Sequence, residues 1–104
     1  MFGLKPSDLK VIVKILRQHP EVEEAVVFGS RAMGNYKPGS DVDIALKGQI
    51  SSDAVIDISA ELNEQIPLPY KFDVVAYSSI THKPLIEHID RHGKQFYKRT
   101  KNDS

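Results

Sequence analysis

The chain has no cysteine, no tryptophan, no surplus of either charge and no long apolar run. Without cysteine there are no disulfides and no thiolate-bound zinc, a pattern that fits a reducing compartment. Fourteen basic and fourteen acidic residues cancel to a formal net charge of zero. That balance argues against broad electrostatic capture of nucleic acid, while a local phosphate site stays open. No apolar stretch reaches the roughly 20 residues that span a bilayer, and the N-terminus carries no signal-like apolar block. No membrane association is therefore expected, and the expected location is cytoplasmic. Aromatic residues are only 8% of the chain, and Tyr36, Tyr70, Tyr77 and Tyr97 are too scattered to form a base-stacking platform, so they read as packing or surface residues.

What remains is one small α/β domain. At 104 residues there is enough chain for a single core but not for a separate substrate domain. Any larger binding surface must come from a partner or from a second copy of the chain, as a homodimer. Leu9, Ile12, Val13 and Leu16 follow helical spacing between Ser7, the expected N-cap, and His19, ahead of Pro20. Ala25 to Phe28 reads as a buried strand, Ser30 to Gly34 as a short helical turn, and Asn35 to Ser40 as a loop rich in turn formers. Val42, Ile44 and Leu46 alternate as a second strand. Ser51, Ser52 and Asp53 look like an N-cap cluster for a helix through Val55, Ile58, Leu62 and Ile66. Lys71 to Tyr77 forms a third strand, and a helix beginning near Ile80 or Pro84 runs to His92, with Gly93 as its stop. Gln95 to Tyr97 is a short last strand or docking turn. The domain is expected to span residues 1–98, with 99–104 a polar tail. This order predicts a small mixed sheet flanked by helices.

The informative feature is where acids interrupt apolar strands. Asp41 and Asp43 flank Val42 at the start of the second strand, and Asp73 lies inside the third. Aspartate is disfavoured in strands and costly to bury unpaired, so three of them at such positions need a reason. Taken singly, Asp41 reads equally well as a turn cap after Ser40, Asp73 as a strand end paired with Lys71, and Gly29-Ser30 as an ordinary turn. Together, Asp41, Asp43 and Asp73 would form an oxygen-rich cluster suited to Mg²⁺ or Mn²⁺. Two such ions about 3.5–4 Å apart clamp the attacking and leaving oxygens in phosphoryl or nucleotidyl transfer. At the end of the first strand, Gly29 lets the backbone approach a ligand and Ser30 opens a turn whose amides face an anion. Arg31 or Lys37 could neutralise phosphate, or could equally be a solvated surface cation.

Two further patterns carry less. Gly34 and Gly39 have P-loop spacing, but Ser40 stands where the P-loop lysine belongs and no strand leads into the first glycine. His88 and His92 are four apart on one helix without the glutamate of a zinc protease, and read as solvated histidines.

Gly29-Ser30-Arg31-Ala32-x-Gly34, then Ser40-Asp41-x-Asp43, then Phe72-Asp73-Val74-Val75 resembles the minimal nucleotidyltransferase domains of the DNA polymerase β superfamily, over nearly the whole chain. The resemblance implies the polymerase β-like palm fold and a metal-dependent nucleotidyltransferase (EC 2.7.7-type) that moves a nucleoside monophosphate, AMP from ATP, to a hydroxyl. It implies phosphate contacts at Gly29, Ser30 and Arg31, metal ligands at Asp41, Asp43 and Asp73, two Mg²⁺ ions, and activation of the hydroxyl by Asp73. It also implies a separately encoded all-helical HEPN-type partner in a toxin–antitoxin or two-component system. One departure stands out: Met33 occupies a position where many relatives carry arginine. The competing expectation is a non-catalytic antitoxin that neutralises a helical partner by binding alone.

Overall fold

The computed structural model describes residues 2–37 and 39–100, so Pro38 of the turn-rich loop and residues 101–104 of the expected tail lie outside the described residues. Helix α1 spans Pro6–Arg17 and starts one residue before the expected Ser7 cap. Pro6, whose φ is pre-set for a helix, sits in its first turn, and Lys5 takes the cap position with no side-chain bond. Strand β1 spans Val22–Phe28, three residues longer than its apolar run. Its early part sets opposite charges in register: Glu24 has Lys47 as its cross-strand partner on one side and Lys98 on the other. Helix α2, Ser30–Met33, stops at Gly34, whose left-handed conformation (φ 82°) suits glycine.

Strand β2 spans Val42–Gly48. Helix α3, Ser52–Ala60, is capped by the Ser51 hydroxyl, which accepts from the Ala54 amide at 3.1 Å. It continues into a π-helical turn over Glu61–Gln65. Strand β3 (Phe72–Ala76) is followed by a single 3-10 turn at Tyr77–Ser79, helix α4 (Lys83–His92) and strand β4 (Lys94–Lys98).

The four strands lie in the order β3-β2-β1-β4. β1 pairs antiparallel with β2 and β4, whereas β2 and β3 are parallel, α3 serving as the crossover. The sheet is thus mixed, as the short connection between β1 and β2 implied. One face packs Ile44, Leu46, Phe72, Val74 and Tyr97 against Ile12, Leu16, Ile58 and Leu62 of α1 and the α3 region. The opposite face carries a smaller cluster of Val26, Phe28 and Ala45 under Ile89 of α4. Both faces are therefore apolar along the middle of β1 and β2, which is why Ala25 to Phe28 reads as a continuous run. Among the described residues no helix is long and apolar enough to cross a membrane.

Packing extends past the expected boundary at residue 98. The Arg99 amide donates to Glu23 O, and its guanidinium donates to Val22 O, Arg17 O and His19 O. Arg99 thereby supplies donors to carbonyls at the end of α1, where helical partners run out.

Candidate functional site

The site is built where β1 ends and where β2 and β3 begin. Asp43 has Phe28 as its antiparallel partner on β1 and Asp73 as its parallel partner on β3. Residues directly opposite in a sheet project to the same face, so Asp43 and Asp73 lie side by side on the face that α4 covers. Asp41, two residues before Asp43 and just ahead of β2, is exposed, as is Asp73; Asp43 is half-buried. The Asp43 carboxyl is raised above the usual aspartate range, first by burial and then by the like charges of Asp73 and Asp41, with His88 acting in the opposite direction.

Gly29 ends β1 at φ 73°, ψ −153°, a region essentially reserved for glycine. A Cβ at Gly29 would overlap the Asp43 Oδ2. The glycine is therefore a space requirement of the acid beside it as well as a turn. Its amide donates to His88 Nε2 at 2.9 Å. His88 stands edge-on to Phe28, with ring centroids 6.2 Å apart, and 5.3 Å from the His92 ring. Sequence reasoning read both histidines as solvated; His92 is exposed, but His88 is half-buried. The available signal was their helical spacing with Leu85, which sets them along the edge of the apolar stripe.

Arg31 is tied to backbone carbonyls. It is 4% exposed, and its Nε and one terminal nitrogen donate to Ser40 O while the other donates to Phe2 O. Its guanidinium also lies between the Tyr36 and Tyr70 rings, at 5.0 and 5.5 Å. A planar fork with this many fixed partners ties down the carbonyl immediately before Asp41. Met33 on α2 is 52% exposed, and Lys37 is also exposed.

Asn63 was not anticipated at all. From the π-helical turn its side chain clasps Phe72, donating to Phe72 O at 2.9 Å and accepting from Phe72 N at 2.8 Å. That mimics a neighbouring strand on the free edge of β3, one residue before Asp73.

The donor set suits a hard divalent cation: carboxylate oxygens only, two of them in register on adjacent strands, with Asp43 already destabilised as an anion by its neighbours. As they stand, no three acidic or imidazole side chains among the described residues close on one point. Asp41 and Asp73 are exposed, so rotamer changes at both cost little. The residues fit a shared cation on chemistry and register.

A family model described as "Polymerase beta, Nucleotidyltransferase" matches residues 10–102. The chain belongs to that nucleotidyltransferase family. Its helices and mixed sheet are the polymerase β-like fold, as comparison with solved structures bears out. A toxin–antitoxin complex solved with AMP-PNP has a chain 26% identical to this nucleotidyltransferase-family protein, with a TM-score of 0.72, covering 91% of this chain and 77% of the other. The MntA-HepT toxin–antitoxin gives 22% identity and a TM-score of 0.69, with 95% and 77% coverage. The tri-AMPylated Shewanella oneidensis HEPN toxin in complex with its MNT antitoxin gives 22%, 0.69, 96% and 77%. No curated protein matches the chain.

Proposed function

We propose that this chain is an AMP transferase acting on a hydroxyl of a helical HEPN-type partner, in the manner of a toxin–antitoxin pair, in the cytoplasm. The observation that carries the reading is the register of Asp43 with Asp73 beside the Gly29 turn. The acceptor oxygen attacks the α-phosphorus of ATP, the bond from that phosphorus to the bridging oxygen breaks, and pyrophosphate leaves. Asp73, the most exposed end of the pair, takes the hydroxyl proton. The Ser30 hydroxyl and the opening of α2 meet the phosphates, and Gly29, by having no side chain, leaves room for the Asp43 carboxylate beside them. Arg31 donates to the Ser40 and Phe2 carbonyls and so holds the loop that delivers Asp41, and its remaining N–H groups would meet the phosphates. Asp41, Asp43 and Asp73 would hold Mg²⁺, which when bound screens the triphosphate and the charge that develops on the leaving oxygen. The AMPylated HEPN toxin and the AMP-PNP complex among the structural neighbours support ATP and a protein acceptor.

The test is transfer of label from [α-³²P]ATP with Mg²⁺ to the co-purified partner. Label should appear with wild type and fall by at least about a hundredfold with Asp43→Ala. No transfer by wild type, or equal transfer by the variant, rejects the reading.

Met33 favours a second reading, in which the chain neutralises its partner by binding alone. Met33 puts an exposed apolar side chain on α2, next to the Gly29 turn. Neutralisation that survives the Asp41→Ala, Asp43→Ala double variant in co-expression supports binding. Loss of neutralisation with the complex intact supports catalysis.

A further inference from the structure

We infer that His88 is a positioning residue for the nucleotide turn, holding Gly29 from helix α4 so that the phosphates meet Ser30. The inference rests on the nucleotide-binding reading above. Gly29 connects a strand to a four-residue helix in a conformation that only glycine adopts readily. A glycine there solves the steric problem beside Asp43 and creates another, because it is the residue with most freedom to lose. Its amide must be tethered for the turn to keep one shape.

The tether comes from 59 residues away. His88 Nε2 accepts the Gly29 amide at 2.9 Å, which requires a lone pair on that nitrogen and so places the ring proton on Nδ1. The imidazole is itself held by the edge of Phe28 and by His92, on a helix whose Ile89 is buried against the sheet. With the Gly29 amide occupied, the next donors along the turn belong to Ser30. His88 thus acts on nucleotide through the backbone, without touching it, and a residue of the last helix becomes part of a site otherwise drawn from the first three strands.

The test titrates Mg²⁺ and AMP-PNP into the full chain by calorimetry, for wild type, His88→Leu and His88→Gln, with folding checked by thermal melting. Leucine keeps the packing and removes the acceptor; glutamine offers an oxygen near the Nε2 position. The expected result is about tenfold weaker binding for His88→Leu and recovery to within about threefold of wild type for His88→Gln, as loss and return of one ordering hydrogen bond imply. Unchanged affinity in His88→Leu overturns the inference, and so does equal weakening in both variants. A ¹⁵N–¹⁵N coupling across the bond, between the Gly29 amide and His88 Nε2, is expected in wild type, and its absence overturns the inference even if a variant fails to fold. Failure of wild type itself to bind the nucleotide removes the site reading and this inference together, and is told apart by appearing without any substitution.

Discussion

Asp43 is the residue at which stability and chemistry conflict. Burial and two neighbouring carboxylates raise its pKa, so in the absence of a cation the folded state holds the Asp43 proton more tightly than the unfolded chain does. The contribution of this group to stability is then greatest below the ordinary aspartate pKa and is lost as pH rises through the elevated folded value. Asp43→Asn removes that loss. In EDTA, thermal melts should show the variant more stable than wild type at neutral pH, with the difference shrinking as pH falls into the ordinary aspartate range. A wild type that melts higher than the variant at neutral pH would contradict the electrostatic account. The acids were legible in the sequence because they break the strand pattern, and a broken pattern is visible without coordinates. The carbonyl contacts of Arg31 were not: a cation after Gly-Ser suits a phosphate as well as a pair of carbonyls, and its burial beside Tyr36 and Tyr70 shows only in the structure. His88 was hidden for the same reason, since its partner is a backbone amide 59 residues away.

At the scale of elements, the site depends on β3 keeping its register with β2. A slip of one residue would turn Asp73 to the face covered by α1 and α3 and bring Phe72 or Val74 beside Asp43. β3 is an edge strand of five residues, so little within it resists such a slip. The Asn63 clasp on Phe72 supplies the resistance, and the π-helical turn at Glu61–Gln65 sets the amide at the edge. Asn63→Ala should lower stability by about 1–3 kcal/mol, from two hydrogen bonds to a strand backbone. The amide protons of β3 should exchange faster than those of β1. Exchange in β3 unchanged from wild type would remove Asn63 from this role. The helical spacing of α3 was readable up to Ile66, but nothing in Glu-Leu-Asn-Glu-Gln marks a widened turn, because the cause lies in the strand that it clasps.

Across the whole molecule, Arg99 closes what the first helix leaves open. Arg99 reaches carbonyls from Arg17, His19 and Val22, joining the end of α1 to the two neighbouring strands β1 and β4. Arg99→Ala should cost about 2 kcal/mol, a fall in Tm of roughly 10 °C for a domain of this size. A melt within a degree or two of wild type would mean that these hydrogen bonds contribute nothing to stability. Composition foretold one small α/β domain, but a polar tail and a clamp are the same letters until the carbonyls they face are known. The two sheet faces also differ in cover. One lies beneath α1 and α3, while on the other α4, with Tyr77 and Ile80, covers Val26, Phe28 and Ala45 and leaves Asp41 and Asp73 exposed. The molecule therefore offers a workbench with one raised side in place of a chamber. On the AMP-transfer reading proposed above, a folded acceptor protein would be laid across that open side whole, its own contour deciding which hydroxyl comes within reach of the exposed Asp41 and Asp73.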